Sequence, residues 1–303
     1  MGPGELKQRL RSRWGWFDEL VRVQDRFGAV GGGPLSSSIT LATFVSLFPL
    51  LLVLISVVGF LAAGRSDFTS DVIRELGLEG EAAQTVEDAI VIAEGSRQAA
   101  SIIGLVGLLW AGLAVVGSMQ AAFNAVWQVT GRGLKDRLYA LRWLLGAGTL
   151  FLAIVALGPA LSWLPAPLVV VNLAIGFALT TLLFLWTFAS LVNNSVGWRA
   201  HLPGALVVAI GFEVLKVVGA VYVPRAISGS SALYGSIGVV FATLAWLAFY
   251  ARLIVHGAAL NVVRYEAAAG TVTVEIEVPR VEGEVPLTAN RGGAVEERAG
   301  APD

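Results

Sequence analysis

The chain has 303 residues, of which 56% are hydrophobic and 14% are charged, whereas soluble domains carry about 45–50% apolar and about 25% charged residues. This balance argues against a water-soluble globule and for a protein that is surrounded by lipid. The formal net charge of -1 gives no attraction to nucleic acid. The lack of cysteine in the sequence excludes disulfides, thiolate metal sites and cysteine nucleophiles.

The first predicted element is an amphipathic helix at residues 5–28. Its apolar side chains recur at helical spacing, and most of its charged side chains lie elsewhere around the helix. The apolar face consists of Leu6, Leu10, Trp14, Phe17, Val21 and Phe27. This pattern is typical of a helix in the membrane surface and equally of a helix packed on a bundle. The glycines and the proline at 31–34 then predict a linker, because glycine is costly in a helix and proline cannot continue one. Residues 1–34 are therefore expected to form a cytoplasmic unit.

Six apolar runs are long enough to cross the hydrocarbon core, which needs about 20 residues of helix. They predict membrane spans at about 39–63, 99–126, 141–164, 168–192, 202–223 and 234–263. Residues 35–265 are therefore predicted to form one all-α domain, a bundle of six transmembrane helices. Residues 266–303 are polar and rich in Glu, Gly and Pro, which predicts a disordered cytoplasmic tail.

Two features of the first spans bear on helix packing. Pro49 removes a backbone donor from the first span, which predicts a kink. In the second span Gly117, Ala121 and Ala125 recur every four residues, a spacing that favours close approach of a neighbouring helix. The acidic segment 64–98 lies between these spans and has apolar residues at helical spacing, so we expect short amphipathic helices there.

The orientation follows from the Lys and Arg residues outside the spans, since positive residues are retained on the cytoplasmic side. Fifteen of them lie in the two termini and the loops near 127–142 and 193–201. The other three loops carry four. Both termini are therefore expected in the cytoplasm, with segment 64–98 outside.

Ionisable side chains inside the predicted spans are candidates for function, because a charge in hydrocarbon is costly unless it faces a cavity or a partner. Glu213 and Lys216 lie three residues apart in the fifth span, and Arg252 and His256 lie four apart in the sixth, so each pair shares a helix face. They predict a polar cavity between these two helices, with Glu213 and Arg252 as candidate partners. The alternatives are a charge network that only fixes packing, or snorkelling of the two cationic side chains to the interface.

Polar amides inside the spans are expected to form interhelical hydrogen bonds. They are Gln120, Asn124, Asn172 and Asn261. Asn124 and Tyr234 are further candidates for the polar cavity, and Gly235 and Gly238 join Pro49 as candidates for a hinge or close packing. The two histidines of the chain lie far apart in sequence, and no phosphate-binding or nucleophile motif occurs. We therefore predict no catalytic residues, metal ligands or cofactor.

Several motifs together carry a family resemblance. They are LFPLL at 47–51, AFNAVW at 122–127, HLPGAL at 201–206, LYGSIGVVFATLAWL at 233–247 and HGAALN at 256–261. With these motifs the chain resembles the YihY/BrkB family of inner-membrane proteins over most of residues 10–265. The resemblance implies a bacterial inner-membrane protein of unsettled activity, in a family whose members have been named for a ribonuclease and a serum-resistance factor. One departure is Ala259, where the family often has glutamate, so a role for that acid does not carry over.

The leading functional expectation is a transporter-like protein that moves or exposes a lipid, an amphiphile or a small anion, through a cleft lined by the second, fifth and sixth spans. The expected partners are membrane lipids and that substrate, without nucleic acid, and a homo-oligomer is left open. The alternative is a scaffold that binds envelope proteins, which crosslinking would distinguish by its abundant partners. A membrane-bound ribonuclease ranks last, because the sequence offers neither a metal cluster nor a basic groove with stacking aromatics.

Overall fold

The structure is a computed structural model that describes the backbone of residues 15–65, 67–75, 80–162, 169–234 and 236–270. Side chains are described over the same ranges except at 75, 81, 82, 85, 151–173 and 220–236. The regular elements of these ranges are all helical. They are α1 (Gly15–Ala29), α2 (Gly32–Ala62), α3 (Phe68–Glu75), α4 (Glu81–Trp127), α5 (Lys135–Ser162), α6 (Val169–Leu191), a short 3-10 helix (Trp198–His201), α7 (Leu202–Tyr234) and α8 (Ser236–Ala269).

Within the described part of the chain, five helical stretches are long and apolar enough to cross a membrane. They are Gly32–Ala62, Val86–Trp127, Ala174–Leu191, Trp198–Gly219 and Ile237–Ala269. Helix α5 coincides with the predicted third span, and the side chains of its second half lie outside the described residues. An all-helical membrane protein is thus confirmed, and the sixth span stays a prediction.

The boundary between α1 and α2 differs from the predicted linker. Only Val30 and Gly31 separate the two helices, and Gly31 adopts a left-handed φ of 69°. Glycine reaches this conformation without the steric cost that other residues incur. The proline at position 34 lies in the first turn of α2, where its missing N–H leaves no hydrogen bond unmade. The chain therefore turns in two residues where the sequence predicted a longer linker.

Helix α4 corrects the predicted start of the second span at residue 99. It begins at Glu81 and continues for 47 residues, more than twice the length that a span needs. Ile90 and Ala93 are buried at helical spacing ahead of the span, so the apolar face continues without a break. The second half of the acidic segment is thus part of the same helix, and only α3 is separate.

Helices α2 and α4 form a long antiparallel hairpin in which glycines permit close approach. A Cβ added to Gly59 would overlap the carbonyl of Ala93, and one added to Gly107 would lie 3.0 Å from the Cβ of Pro49. Pro49 therefore lies at the α2–α4 contact, as a close-packing residue should. A hinge role for it stays a prediction.

The last two helices are longer than the fifth and sixth predicted spans. Helix α7 continues to Tyr234, so the loop predicted after residue 223 is helical, and α8 continues to Ala269. Gly238 is buried in the first turn of α8. Gly235 and the side chain of Tyr234 lie outside the described residues, as do residues 1–14 and the tail from residue 271.

The hydrophobic core of the described residues lies at one end of the bundle, which is the predicted cytoplasmic end. It combines the C-terminal parts of α4, α6 and α8 with the N-terminal parts of α2 and α7. Its fully buried members include Val116, Phe123, Leu191, Val208 and Val255. Helices of alternating direction place these parts at the same end, so this end holds the helices together.

Candidate functional site

A groove of about 930 Å³ lies between α4 and the start of α5, and residues of the loop between them line one end. We call it the α4–α5 groove. It is lined by Trp110, Leu113, Ala114, Gly117, Gln120, Ala121, Asn124, Ala125, Val129, Gly131, Gly133, Asp136, Arg137 and Ala140. The α4 members recur every three or four residues, so one face of α4 forms the floor.

Small residues keep this floor open. The predicted contact stripe of Gly117, Ala121 and Ala125 lines the groove, and Gly117 and Ala121 are exposed. A Cβ added to Gly117 would meet no atom within 4 Å. Among the described residues, the close approach that this stripe would permit does not occur at Gly117, because α5 approaches α4 at Gly112 instead, where a Cβ would lie 3.1 Å from Leu144.

The loop end of the α4–α5 groove is polar. Nε2 of Gln120 donates to the carbonyl of Asp136 at 3.1 Å, and Oδ1 of Asn124 accepts from the backbone N–H of Asn193 at 2.9 Å. Gln120 thus joins α4 to α5, and Asn124 joins α4 to the loop after α6. The Gln120 bond joins two helices, as predicted for amides in the spans, whereas the Asn124 bond joins a helix to a loop.

Arg132 and Asp136 form the polar support of the loop between α4 and α5. Asp136 Oδ2 accepts from the backbone N–H of Arg132 at 2.7 Å, and Nη2 of Arg132 donates to the carbonyl of Val192 at 2.5 Å. The Arg132 guanidinium also lies 4.2 Å from the ring centre of Tyr139. The charge of Asp136 is therefore offset by Arg132, and the pair ties the loop to the end of α6.

The opposite end of the groove is apolar. Trp110 is 72% exposed there, beside Leu113. At 1.5 Å per residue, Trp110 and Asn124 lie about 21 Å apart along α4. One leaflet contributes about 15 Å to a hydrocarbon core of about 30 Å. The groove therefore leads from polar loop to apolar helix over more than the depth of one leaflet.

The ionisable residues of the predicted polar cavity are divided between two places. Lys216 Nζ donates to Glu213 Oε1 at 2.7 Å, so these two residues pair with each other on the surface of α7. Among the ion pairs of the described residues, Glu213 is joined to Lys216 and not to Arg252, which is exposed. The local pair satisfies both charges without a second helix.

His256 contacts α1 instead of α7. Its Nδ1 donates to the carbonyl of Arg252 at 2.7 Å, and its Nε2 lies 3.1 Å from the side-chain amide of Gln24. The ring stacks on Phe27 with 4.0 Å between ring centres. Of the predicted cavity residues, Asn124 thus lines the α4–α5 groove, while the charged residues do not.

Sequence reasoning missed the contacts that hold α1 on the bundle. Arg26 donates from Nε and Nη2 to the carbonyl of Val126 at 3.0 and 2.8 Å, and it lies 3.5 Å from Glu266. Arg264 pairs with Glu19. These residues connect α1 to the ends of α4 and α8. In the sequence analysis, Arg26 and Arg264 were used only to predict the orientation of the chain in the membrane. The amphipathic pattern of α1 was compatible with packing on the bundle but did not identify these contacts.

A buried hydrogen bond joins α7 to α8. Asn261 Oδ1 accepts from the backbone N–H of Gly204 at 2.6 Å. A Cβ added to Gly204 would overlap the carbonyl of Gly257 and the Asn261 side chain. Ala259 is fully buried on α8. It stands at the position where the family often has glutamate. Asn172 has its side chain outside the described residues.

These helices, their apolar length and their exposed apolar side chains define a polytopic helical membrane protein. The sequence profile of the family described as Virulence factor BrkB matches residues 23–277. The chain belongs to this family, as its motifs indicated.

Similar proteins agree with this membership. An uncharacterized protein of Dickeya dadantii is 29% identical over 294 residues, covering 84% of this chain and 88% of the relative. The inner membrane protein YhjD of Escherichia coli is 27% identical over 271 residues, covering 79% of each chain. A UPF0761 membrane protein of Methylibium petroleiphilum is 28% identical over 255 residues, covering 77% of this chain and 59% of the relative. No solved structure matches the chain significantly.

Proposed function

We propose that the protein binds an amphiphile of the membrane in the α4–α5 groove and moves or exposes it across the cell envelope membrane. One observation carries the proposal: the groove joins a polar end at the loop to an apolar end at Trp110. An amphiphile has the same division between a polar head and an apolar chain. A purely polar solute would gain little from this wall, which is mostly apolar.

The shape of the groove also favours lateral entry. Its volume of about 930 Å³ lies near the upper end of the usual range for ligand sites, about 300–1,000 Å³. Its floor is exposed along Gly117 and Ala121, so a lipid tail can enter from the side without displacing a helix. The proposal involves no chemical conversion of the amphiphile, and an RNA-cleaving activity that is lost on substitution of His256 would contradict it.

A matched pair of leucine substitutions tests this function. Gly117→Leu places a side chain inside the groove, where an added Cβ meets no other atom. Gly148→Leu places the same side chain on α5, also in open space and outside the lining of the groove. Both variants should fold, so a difference in activity between them reports the groove alone.

The measurement is lipid movement in liposomes that contain the purified protein and a fluorescent phospholipid, with a membrane-impermeant quencher added outside. Wild type and Gly148→Leu should move the lipid faster than empty liposomes, and Gly117→Leu should fall to the empty rate. Equal rates with and without protein, or full activity of Gly117→Leu, would contradict the proposal.

A further inference from the structure

We infer that the α4–α5 groove selects phospholipids with an anionic headgroup, whose phosphate lies at the loop end next to Arg137. This inference rests on the proposed function and specifies its substrate class. The inference is based on the charged residues at the loop end of the groove and on the neutralisation of Asp136 by Arg132.

Three cationic residues lie at this end, Arg132, Lys135 and Arg137, together with one acid, Asp136. Arg132 and Asp136 are largely buried and adjacent, because the backbone N–H of Arg132 bonds Asp136 Oδ2 and Nη1 of Arg132 lies 3.8 Å from Asp136 Oδ1. The charge of Asp136 is therefore offset by Arg132 before any ligand binds. Arg132 is a positioning residue that holds the loop by its bond to Val192.

Lys135 and Arg137 remain as the accessible charges at this end. Both are exposed, Arg137 lines the groove, and among the residues that the structure describes neither has a carboxylate partner. In the lining, a ligand at this end consequently meets the unpaired guanidinium of Arg137 next to Asp136, whose charge Arg132 offsets. Arginine suits a phosphate in particular, because its planar guanidinium donates two parallel hydrogen bonds to two oxygens.

The length of the groove places the phosphate of a bound lipid at the loop end. Arg137 lies at the same end as the loop residues Val129 and Gly131, and from Asn124 at this end the groove runs about 21 Å along α4 to Trp110. A lipid whose chain lies on Gly117 and Ala121 therefore has its head at Arg137. The loop end is the predicted cytoplasmic end, so the occupant comes from the inner leaflet.

Quenching of Trp110 by brominated phospholipids tests the inference. Bromine in the acyl chain quenches a tryptophan that it touches, and the difference between wild type and Trp110→Phe isolates the signal of the groove. The purified full chain would be titrated in mixed micelles with brominated phosphatidylglycerol, which is anionic, or brominated phosphatidylcholine, which is zwitterionic. We expect half-maximal quenching at about a two- to fivefold lower mole fraction of the anionic lipid, the range that one exposed ion contact provides, and a smaller difference at high salt.

The chain offers a charge-matched control for Arg137→Gln. Arg142 is also exposed on α5, but it lies about 140° around the helix from Arg137 and does not line the groove. Arg137→Gln should bring the two lipids to equal mole fractions, Arg137→Lys should retain part of the preference, and Arg142→Gln should retain all of it. Equal quenching of wild type by both lipids would overturn the inference, as would an equal loss of preference in the two glutamine variants.

Gly117→Leu separates this inference from the proposed function. Quenching by both lipids should be lost in this variant. If quenching instead persists unchanged, the groove does not hold lipid and both proposals fail. If it is lost but wild type does not distinguish the two headgroups, the function stands and only the anionic preference fails.

Discussion

Two neighbouring helix pairs use small residues in opposite ways. In the α7–α8 pair the space beside each of three α7 glycines is filled, by the carbonyl of Gly257 at Gly204, by Leu253 at Gly211 and by Trp246 at Gly219. In the α4–α5 pair Leu144 fills the space at Gly112, whereas the space at Gly117 is empty. A small residue therefore permits close approach but does not cause it. Whether a stripe of small residues becomes a contact or a groove depends on what the partner helix places opposite.

The largest expected effect on the α7–α8 pair is that of Gly204→Ala. The added methyl group would overlap the backbone carbonyl of Gly257, which cannot rotate away as a side chain can. We expect a loss of about 2–3 kcal/mol in the free energy of unfolding, seen as a lower thermal midpoint of the purified protein in detergent. Gly148→Ala, in open space, is the control. An unchanged midpoint for Gly204→Ala would mean that α7 and α8 do not pack as described.

Asn261→Ala attacks the same pair through its hydrogen bond. The backbone N–H of Gly204 would lose its acceptor inside the core, which costs about 1–3 kcal/mol. Thermal unfolding in detergent measures the loss. Thr180→Ala, which removes an exposed hydroxyl bonded within its own helix, should change the midpoint little. Similar losses in both variants would speak against a special role of Asn261.

Arg26→Ala tests what holds the end of α4 beside the groove. Arg26 is largely buried and donates twice to the carbonyl of Val126, so its removal should cost about 1–2 kcal/mol. Arg22→Ala is the control, since Arg22 is half exposed and forms its ion pair with Asp18 one turn away, and it should cost at most about 0.5 kcal/mol. Limited proteolysis near α1 should accelerate in the first variant alone. Equal protection of both would show that α1 is held by its apolar face.

Gly117→Ala gives the smallest effect and the opposite sign. A methyl group in the empty groove touches nothing, and alanine is a better helix former than glycine by about 0.5–1 kcal/mol. The thermal midpoint should therefore rise slightly, whereas the same substitution at Gly204 lowers it. A fall at Gly117 would indicate that α5 closes on this stripe and that the groove is not open.

The candidate site was only partly predictable from the sequence. Asn124 was identified by its polarity inside a span, and it lies in the groove. Glu213 was predicted to pair with Arg252 on another helix, but it forms an ion pair with Lys216 one turn away. His256 was assigned to a cavity beside α7 and instead stacks on Phe27 of α1. Polarity within an apolar run is a local property, whereas the identity of the partner depends on how distant helices rotate and approach.

The sequence by itself determined that lipid surrounds most of this chain and that its apolar runs are helices, because the length and polarity of a segment decide its partition and a spanning segment must satisfy its own backbone hydrogen bonds. Only the tertiary structure decided that the stripe at Gly117 stays open while Gly204 is filled, and that Arg26 caps the end of α4. The reason is that such contacts are made between residues far apart in the chain. The distances between these residues follow from the joint packing of all helices. They produce no periodic pattern in the sequence of any single helix.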